Sequence, residues 1–219
     1  MRPPPPLLPS PTLPRAAPPL LTLTTPRVLP PGCSKFPTSI AANGDPLVCP
    51  REVKELDYEV ELAVVIGKEG RRIPVESALE YVAGYTVAHD VSARDWQLKK
   101  NGGQWLLGKC CDGFAPIGPA IVTPDEVGDV HNLRLRCIVG GEVLQDGNTS
   151  QLVHNVPKCI AWISKFVTLN PGDVILTGTP PGVGCFRKPQ RWLQVGESVT
   201  VEIEKLGSIT NTVVADNTL

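Results

Sequence analysis

The chain has 219 residues and 24 prolines, and 12 of those prolines lie between Pro3 and Pro31. No acidic residue precedes Asp45, so residues 36–219 carry 17 basic and 22 acidic residues and a net charge of −5. With this mildly acidic balance the domain lacks the net positive charge that binds a nucleic-acid backbone, so no nucleic-acid partner is expected. No apolar run exceeds five residues, which is far below the ~20 needed to cross a bilayer, so no membrane partner is expected.

The proline-rich leader, residues 1–33, is predicted to be disordered because proline removes a backbone donor and restricts the backbone. Its basic, hydroxyl-containing and acid-free composition is typical of an organellar transit peptide, although so many prolines would break the amphipathic helix that such a peptide needs. A ligand for SH3-type domains and an unstructured leader without a role of its own are the alternatives.

The cysteines form an odd and scattered set without a C-x-x-C pair. They are Cys33, Cys49, Cys110, Cys111, Cys137, Cys159 and Cys185. This spacing predicts neither a zinc site nor a disulfide framework. It indicates reduced thiols in a cytosolic or organellar compartment.

The predicted elements begin after the leader. The segment from Asp57 alternates polar and apolar residues before the apolar run Ala63 to Ile66, which predicts a strand entering a core. Residues Ile73 to Val82 have helical spacing with a proline in the first turn, and Gly84 to Asp90 is predicted to be a second strand.

A hairpin is predicted further along, because Gly140-Gly141 tolerates the positive φ of a tight turn between Leu133 to Val139 and Glu142 to Leu144. A short helix at Pro157 to Val167 and strands at Val174 to Leu176 and Val199 to Glu204 follow. Many short strands with few helices predict a single domain of the mainly β class with some α.

Three carboxylates are candidates for a metal site. Glu59 and Glu61 lie two apart on a predicted strand, so their side chains share a face, and Asp90 ends the next core strand. An isolated E-x-E is most often a solvated strand face. Three oxygen ligands without paired His or Cys would suit a hard cation such as Mg²⁺.

Two further segments could bind an anion. Lys109 follows the apolar stretch from Trp105 and could act as an electrostatic clamp, although a lysine after a turn is more often at the surface. The turn from Thr177 to Gly182 offers hydroxyls and backbone N–H groups to a carboxylate, although such turns are usually only turns. The three histidines form no recognisable nucleophilic triad.

Four motifs carry a resemblance to a known family. Tyr58 to Gly67, His89 to Gln97, Gly108-Lys109 and Gly172 to Gly184 occur in the order and spacing of the fumarylacetoacetate hydrolase family. The resemblance runs from about Ser34 to the C-terminus, so residues 34–219 are expected to form the catalytic domain, without the N-terminal part of the family's domain.

The resemblance implies a mixed β-sheet roll, usually a homodimer, that holds Mg²⁺, or alternatively Mn²⁺ or Ca²⁺. It implies Glu59, Glu61 and Asp90 as metal ligands, Lys109 and Gln97 as catalytic residues, and Thr179 and Gly178 with Lys109 as substrate-binding residues. Arg94 and Asp95 are expected mainly to brace their loop. A mitochondrial location is implied, with the cytoplasm as the alternative.

The family acts on small 2-oxo and 1,3-dicarbonyl acids, and the subgroup that this chain most resembles implies oxaloacetate tautomerisation. The alternative is an acylpyruvate-type or fumarylacetoacetate-type carbon–carbon hydrolase, which in this family takes its water from a His and Glu pair on a lid marked G-x-N-Y-x-x-H. The chain does not contain that pattern. The proline-rich leader stands before Ser34, where the resemblance implies the lid. A catalytically impaired, non-enzymic variant is the third possibility.

Overall fold

The computed structural model describes residues 34–217, so the predicted disorder of residues 1–33 concerns residues outside the described part. The described strands are β1 Ile40–Ala41, β2 Leu47–Cys49, β3 Leu56–Asp57, β4 Val60–Ile66, β5 Val82–His89, β6 Ser92–Ala93, β7 Ala115–Val122, β8 Arg134–Val139, β9 Glu142–Asn148, β10 Val174–Leu176, β11 Ser198–Ile203 and β12 Gly207–Ala215. The predicted mainly β class with some α is confirmed.

The helical elements are short. The α-helices are α1 Pro124–Val127 and α2 Val156–Ile163. A π-helix occupies Asp95–Lys100, and 3₁₀ turns occupy Pro37–Ser39, Val75–Tyr81, Leu106–Gly108, Thr149–Gln151 and Gly184–Phe186. The helix predicted from Ile73 is therefore a 3₁₀ helix, and the helix predicted to reach Val167 ends at Ile163.

Two five-stranded sheets carry the core. One has the order β1-β7-β5-β4-β10 and the other β2-β12-β11-β8-β9, and β3 pairs separately with β6. In both sheets most pairs are antiparallel, with one parallel pair at an edge. Contacts of β12 with β7, and of β4 with β8, show that the sheets pack face to face. Their facing side chains form one apolar cluster that includes Leu62, Val87, Leu135, Val201 and Ile209.

The predicted hairpin between β8 and β9 is confirmed. Val139 pairs with Glu142, and the two glycines between them have φ of 57° and 89°. Positive φ at both central positions matches the right-handed twist of the flanking strands, and glycine adopts it without a steric penalty.

Strand β4 positions the site. All seven of its residues are buried, and it lies between β5 and β10. It runs antiparallel to β5, with Val60 opposite His89 and Glu61 opposite Ala88. The start of β4 therefore lies beside the end of β5, which places the residues flanking these two ends next to each other.

Candidate metal centre

The three candidate carboxylates converge at this meeting of strand ends. Glu59 and Glu61 flank Val60 on one face of the chain, and Asp90 follows β5 and donates its N–H to the carbonyl of Glu59 at 2.9 Å. One oxygen from each carboxylate lies within 4.8 Å of the others, and all three residues are buried. The structure therefore brings together the residues that the sequence pattern placed on neighbouring strand ends.

Lys109 lies within this cluster. A lysine after a turn is more often at the surface, and for Lys109 that expectation is wrong. Its side chain is 3% exposed, and Nζ donates to Glu59 Oε2 and Asp90 Oδ2 at 2.7 Å each and to Ser92 Oγ at 2.6 Å. Gly108 permits this placement, because a Cβ there would lie 2.6 Å from Cβ of Gln97. An ammonium group between two buried carboxylates offsets part of their repulsion.

The charges in the cluster shift one another's pKa values. Burial together with the charges of Asp90 and Glu59 raises the pKa of Glu61 well above its ordinary value. Burial also acts to raise the pKa of Asp90, but Lys109 and Lys35 outweigh it and lower that pKa to about 2. Burial lowers the pKa of Lys109, yet the two carboxylates raise it above its usual range. Asp90 and Lys109 are therefore both ionised at neutral pH.

Arg94 connects the cluster to two further residues. Its guanidinium donates to Asp57 Oδ2 and Gln97 Oε1 at 2.8 Å and to Glu59 Oε1 at 2.5 Å. Arg94 thus reaches the carboxylate cluster itself as well as its own loop, whereas Asp95 binds Lys100 and the N–H of Lys54 at that loop. Gln97 is 2% exposed and oriented by Arg94.

The turn after β10 closes the other side of the cluster. The N–H of Gly178 donates to Glu61 Oε2 at 2.7 Å, and the hydroxyl of Thr179 donates to the carbonyl of Val60 at 2.9 Å. The hydroxyl of Thr179 also accepts from Gln145 Nε2 at 2.8 Å. The structure places Gly178 and Thr179 beside the glutamates, with both groups bonded to the protein.

Several residues of the site had no signal in the sequence. The ammonium of Lys35 lies 2.8 Å from Asp90 Oδ1 and donates to the carbonyls of Lys109 and Phe114 at 2.6 Å each. Asp57, Ser92 and Gln145 also line this region and are buried. These residues come from four separate segments, so only the folded chain shows that they meet.

His89 lies beside Asp90 at the end of β5. Burial, with the charge of Lys35, lowers the pKa of His89 to about 3, so its ring is neutral at physiological pH. Neither ring nitrogen has a hydrogen-bond partner among residues 34–217.

The cysteines show no disulfide within the described part of the chain. The six cysteines from Cys49 onward are free, whereas Cys33 lies outside that part. Burial raises the pKa of Cys111 to about 11, so this thiol is protonated at neutral pH. No helix among the described residues is long and apolar enough to span a membrane.

A two-sheet β fold with a buried cluster of carboxylates and one lysine at its strand ends defines the class of protein. The profile described as fumarylacetoacetate (FAA) hydrolase C-terminal matches residues 22–214. The chain therefore belongs to the fumarylacetoacetate hydrolase family. This confirms the resemblance read from the four motifs.

Curated relatives are similar to this chain in sequence. The chain is 60% identical over 181 residues to human oxaloacetate tautomerase FAHD2A, mitochondrial, which covers 83% of this chain and 58% of that protein. It is 59% identical over 181 residues to Xenopus laevis oxaloacetate tautomerase fahd2, mitochondrial, covering 83% of this chain and 57% of that protein. The chain thus spans a little over half the length of these relatives.

Solved structures of other proteins are similar to this chain in fold. The 5-carboxymethyl-2-hydroxymuconate delta-isomerase from Mycobacterium smegmatis matches with a TM-score of 0.77 and 39% identity, covering 87% of this chain and 72% of that one. The fumarylacetoacetate hydrolase from Exiguobacterium antarcticum matches with a TM-score of 0.77 and 43% identity, covering 83% and 65%. The predicted mixed β-sheet fold of this family is therefore confirmed.

Proposed function

We propose that the chain is a metal-dependent oxaloacetate enol–keto tautomerase. The observation that carries the proposal is the Lys109 ammonium 2.7 Å from oxygens of Glu59 and Asp90, within a buried cluster that also contains Glu61. The names of the relatives at about 59–60% identity support this substrate. Oxaloacetate, a small 2-oxo acid, is accordingly the proposed partner.

The residues present fit a divalent cation. Three mutually close carboxylates supply only oxygen donors, which hard cations prefer. Burial, together with the charges of Asp90 and Glu59, raises the pKa of Glu61, and a bound cation would favour the ionised form of this carboxyl. We assign Glu59, Glu61 and Asp90 as the ligands of Mg²⁺, with Mn²⁺ or Ca²⁺ as alternatives. When bound, such an ion supplies Lewis-acid stabilisation of negative charge on a keto oxygen.

The side chains of the chain supply the remaining chemistry. Tautomerisation of the enol removes the proton from its oxygen and adds a proton to the carbon next to the carbonyl carbon, while the C=C bond becomes a C=O bond. Negative charge develops on the oxygen when its proton leaves. Lys109 is held protonated, so it can stabilise that charge. Each of the three N–H groups of the ammonium donates to an acceptor, and a substrate oxygen would replace one of these acceptors. Ser92 is the neutral acceptor, so its bond is the easiest to exchange.

We assign the substrate's carboxylate to Thr179 and Gly178, with Lys109, and a catalytic role to Gln97. Thr179 and Gly178 lie directly beside the glutamates, at hydrogen-bond distance from Val60 and Glu61. Gln97 is fixed by Arg94, which also holds Glu59. The groups of Thr179 and Gly178 both donate to the protein, so a substrate carboxylate would take the Thr179 proton from the carbonyl of Val60 and the Gly178 N–H from Glu61.

The decisive experiment follows the enol absorbance of oxaloacetate with Mg²⁺ present. The wild-type chain should accelerate the decay of the enol, and Glu61→Ala should abolish the acceleration. Glu80→Ala, at an exposed glutamate, is the matched control and should behave as wild type. Equal decay with wild type and Glu61→Ala would disprove the proposal.

The same protein should be offered acylpyruvates to test the hydrolase alternative. Release of pyruvate or oxalate would reassign the site to carbon–carbon hydrolysis. A chain without metal-dependent turnover of either substrate would be the non-enzymic variant.

The remaining assignments concern the whole protein. We assign residues 1–33 to a leader and 34–219 to the catalytic domain, and we propose a homodimer in mitochondria, with the cytoplasm as the alternative. The human and Xenopus laevis relatives are both named as mitochondrial proteins, which supports the location. Light scattering of the purified chain tests the dimer, and imaging of the full chain fused to a fluorescent protein at its C-terminus tests the location.

A further inference from the structure

Gln145, on β9 of the second sheet, joins the two halves of the candidate site. Its Oε1 accepts the N–H of Val60 at 2.9 Å, and its Nε2 donates to the hydroxyl of Thr179 and the carbonyl of Pro180 at 2.8 Å each. The residue is 1% exposed, so water does not compete for these bonds. One side chain therefore connects the glutamate strand to the turn after β10.

The orientation of this amide is fixed by its partners. The N–H of Val60 can only donate, and the carbonyl of Pro180 can only accept. Rotating the amide by half a turn would set donor against donor and acceptor against acceptor. Gln145 thus has one arrangement in which all three bonds are made.

The bonds close a ring around Val60. The hydroxyl that accepts from Gln145 belongs to Thr179 and donates to the carbonyl of Val60, while Gln145 accepts from the N–H of the same residue. Val60 is the residue between Glu59 and Glu61. The ring therefore fixes the position of the carboxylate-binding turn relative to the glutamate pair. When a ligand carboxylate takes the Thr179 proton from the carbonyl of Val60, the bonds of Gln145 to the N–H of Val60 and the carbonyl of Pro180 still hold the turn.

We propose that Gln145 is a positioning residue that sets the separation between the glutamate pair and Thr179, so that one small dicarboxylate can engage both. This inference rests on the proposed roles of Glu59, Glu61 and Thr179. It does not require that oxaloacetate is the substrate, because any ligand that spans the cation ligands and the turn depends on the same separation. Loss of one hydrogen bond to a bound carboxylate weakens its binding by about tenfold or more.

The test compares Gln145→Leu with Gln194→Leu, which makes the same change at an exposed glutamine. Binding of Mn²⁺ is measured by electron paramagnetic resonance, and binding of oxalate to the Mn²⁺-loaded chain is measured by calorimetry. Gln145→Leu should leave the Kd for Mn²⁺ unchanged and raise the Kd for oxalate by about tenfold or more. Gln194→Leu should change neither value.

Three results would overturn the proposal. They are an unchanged oxalate Kd in Gln145→Leu, a parallel loss of Mn²⁺ and oxalate binding in that variant, and no oxalate binding by the wild-type chain. Circular dichroism checks folding, and Gln145→Met, which keeps the length of the side chain, replaces Gln145→Leu if that variant does not fold.

Turnover separates this proposal from the proposed function. If oxaloacetate is turned over, Gln145→Leu should raise KM more than it lowers kcat, which a purely structural role would not do. If wild type binds Mn²⁺ and oxalate but does not turn over oxaloacetate, the tautomerase assignment fails and the oxalate titration still decides the role of Gln145.

Discussion

The Nζ atom of Lys109 lies 2.7 Å from Oδ2 of Asp90, and both side chains are more than nine-tenths buried. The two residues are 19 positions apart, and each follows a different element: Asp90 follows β5, and Lys109 follows the 3₁₀ turn Leu106–Gly108. A buried ion pair of this kind loses solvation on both sides, so its geometry must be good for both charges to persist. Lys35 and Arg94 add further positive charge, on Asp90 and Glu59 respectively.

Removing the ammonium should lower stability. Lys109→Met leaves Glu59 and Asp90 without their shared partner, and breaking a buried pair from one side costs about 3–5 kcal/mol. Chemical denaturation without divalent cations measures the change. Lys99→Met is the control, because its pair with Glu55 is at the surface, and it should have little effect. Equal stability of Lys109→Met and wild type would contradict the role of this ion pair.

The same substitution should remove most of the proposed activity. Losing one preorganised donor to a developing oxyanion typically costs about a hundredfold or more in kcat. Lys109→Met is assayed for enol decay at saturating Mg²⁺ and at a temperature where its circular dichroism matches wild type. Activity within a few-fold of wild type would mean that Lys109 balances charge without taking part in the reaction.

Cation binding should depend on the three carboxylates together. Glu61→Gln and Asp90→Asn each remove one charged ligand, and each should weaken Mn²⁺ binding by an order of magnitude or more. Asp146→Asn, at an exposed aspartate, should bind as wild type does. Retention of wild-type affinity in both site variants would place the cation elsewhere.

Cation affinity should rise with pH. Because the pKa of Glu61 is raised, this carboxyl is protonated at pH values where an ordinary glutamate, near about 4.3, is already ionised. The cation binds the ionised form, so below the raised pKa the Kd should increase by about tenfold for each pH unit lost. Mn²⁺ titrations across this window measure the slope. The slope should vanish in Glu61→Gln, and a pH-independent wild-type Kd would contradict the prediction.

Asp57 should stabilise the site through its ion pair with Arg94. It is fully buried, and its carboxylate accepts the N–H groups of Gly184 and Cys185 together with Nε of Arg94. Asp57→Asn removes the charge that balances Arg94, so stability should fall by about 3 kcal/mol. Thermal and chemical unfolding test this, and a variant as stable as wild type would show that Glu59 alone suffices to balance Arg94.

The sequence predicted the elements that obey a simple period. Strand β4, the glycine hairpin and β10 follow from alternation and turn chemistry. Glu59 directly precedes β4, Glu61 lies on it, and the turn with Thr179 follows β10. Two long strands were missed. Strand β7 contains Pro116 and Pro119, which argue against a strand, and it tolerates them because its pairing with β5 is interrupted.

Strand β12 alternates buried and exposed residues and could have been predicted. Its pattern is broken by Asn211, a polar residue at a buried position. The fold satisfies the amide of Asn211 with the carbonyls of Ala42 and Asp45. A local pattern cannot show such partners, because they are more than 160 residues away in sequence.

The composition, the four motifs and the spacing of Glu59 and Glu61 by themselves determined the family, the mainly β class and the carboxylates of the candidate site. Only the tertiary structure decided that Lys109 is buried between two of these carboxylates, that Lys35 reaches Asp90, and that Gln145 joins Val60 to Thr179. The physical reason is that periodicity reports which face of an element a side chain occupies. The partner that satisfies a buried charge or amide comes from another segment, and folding alone brings the two together.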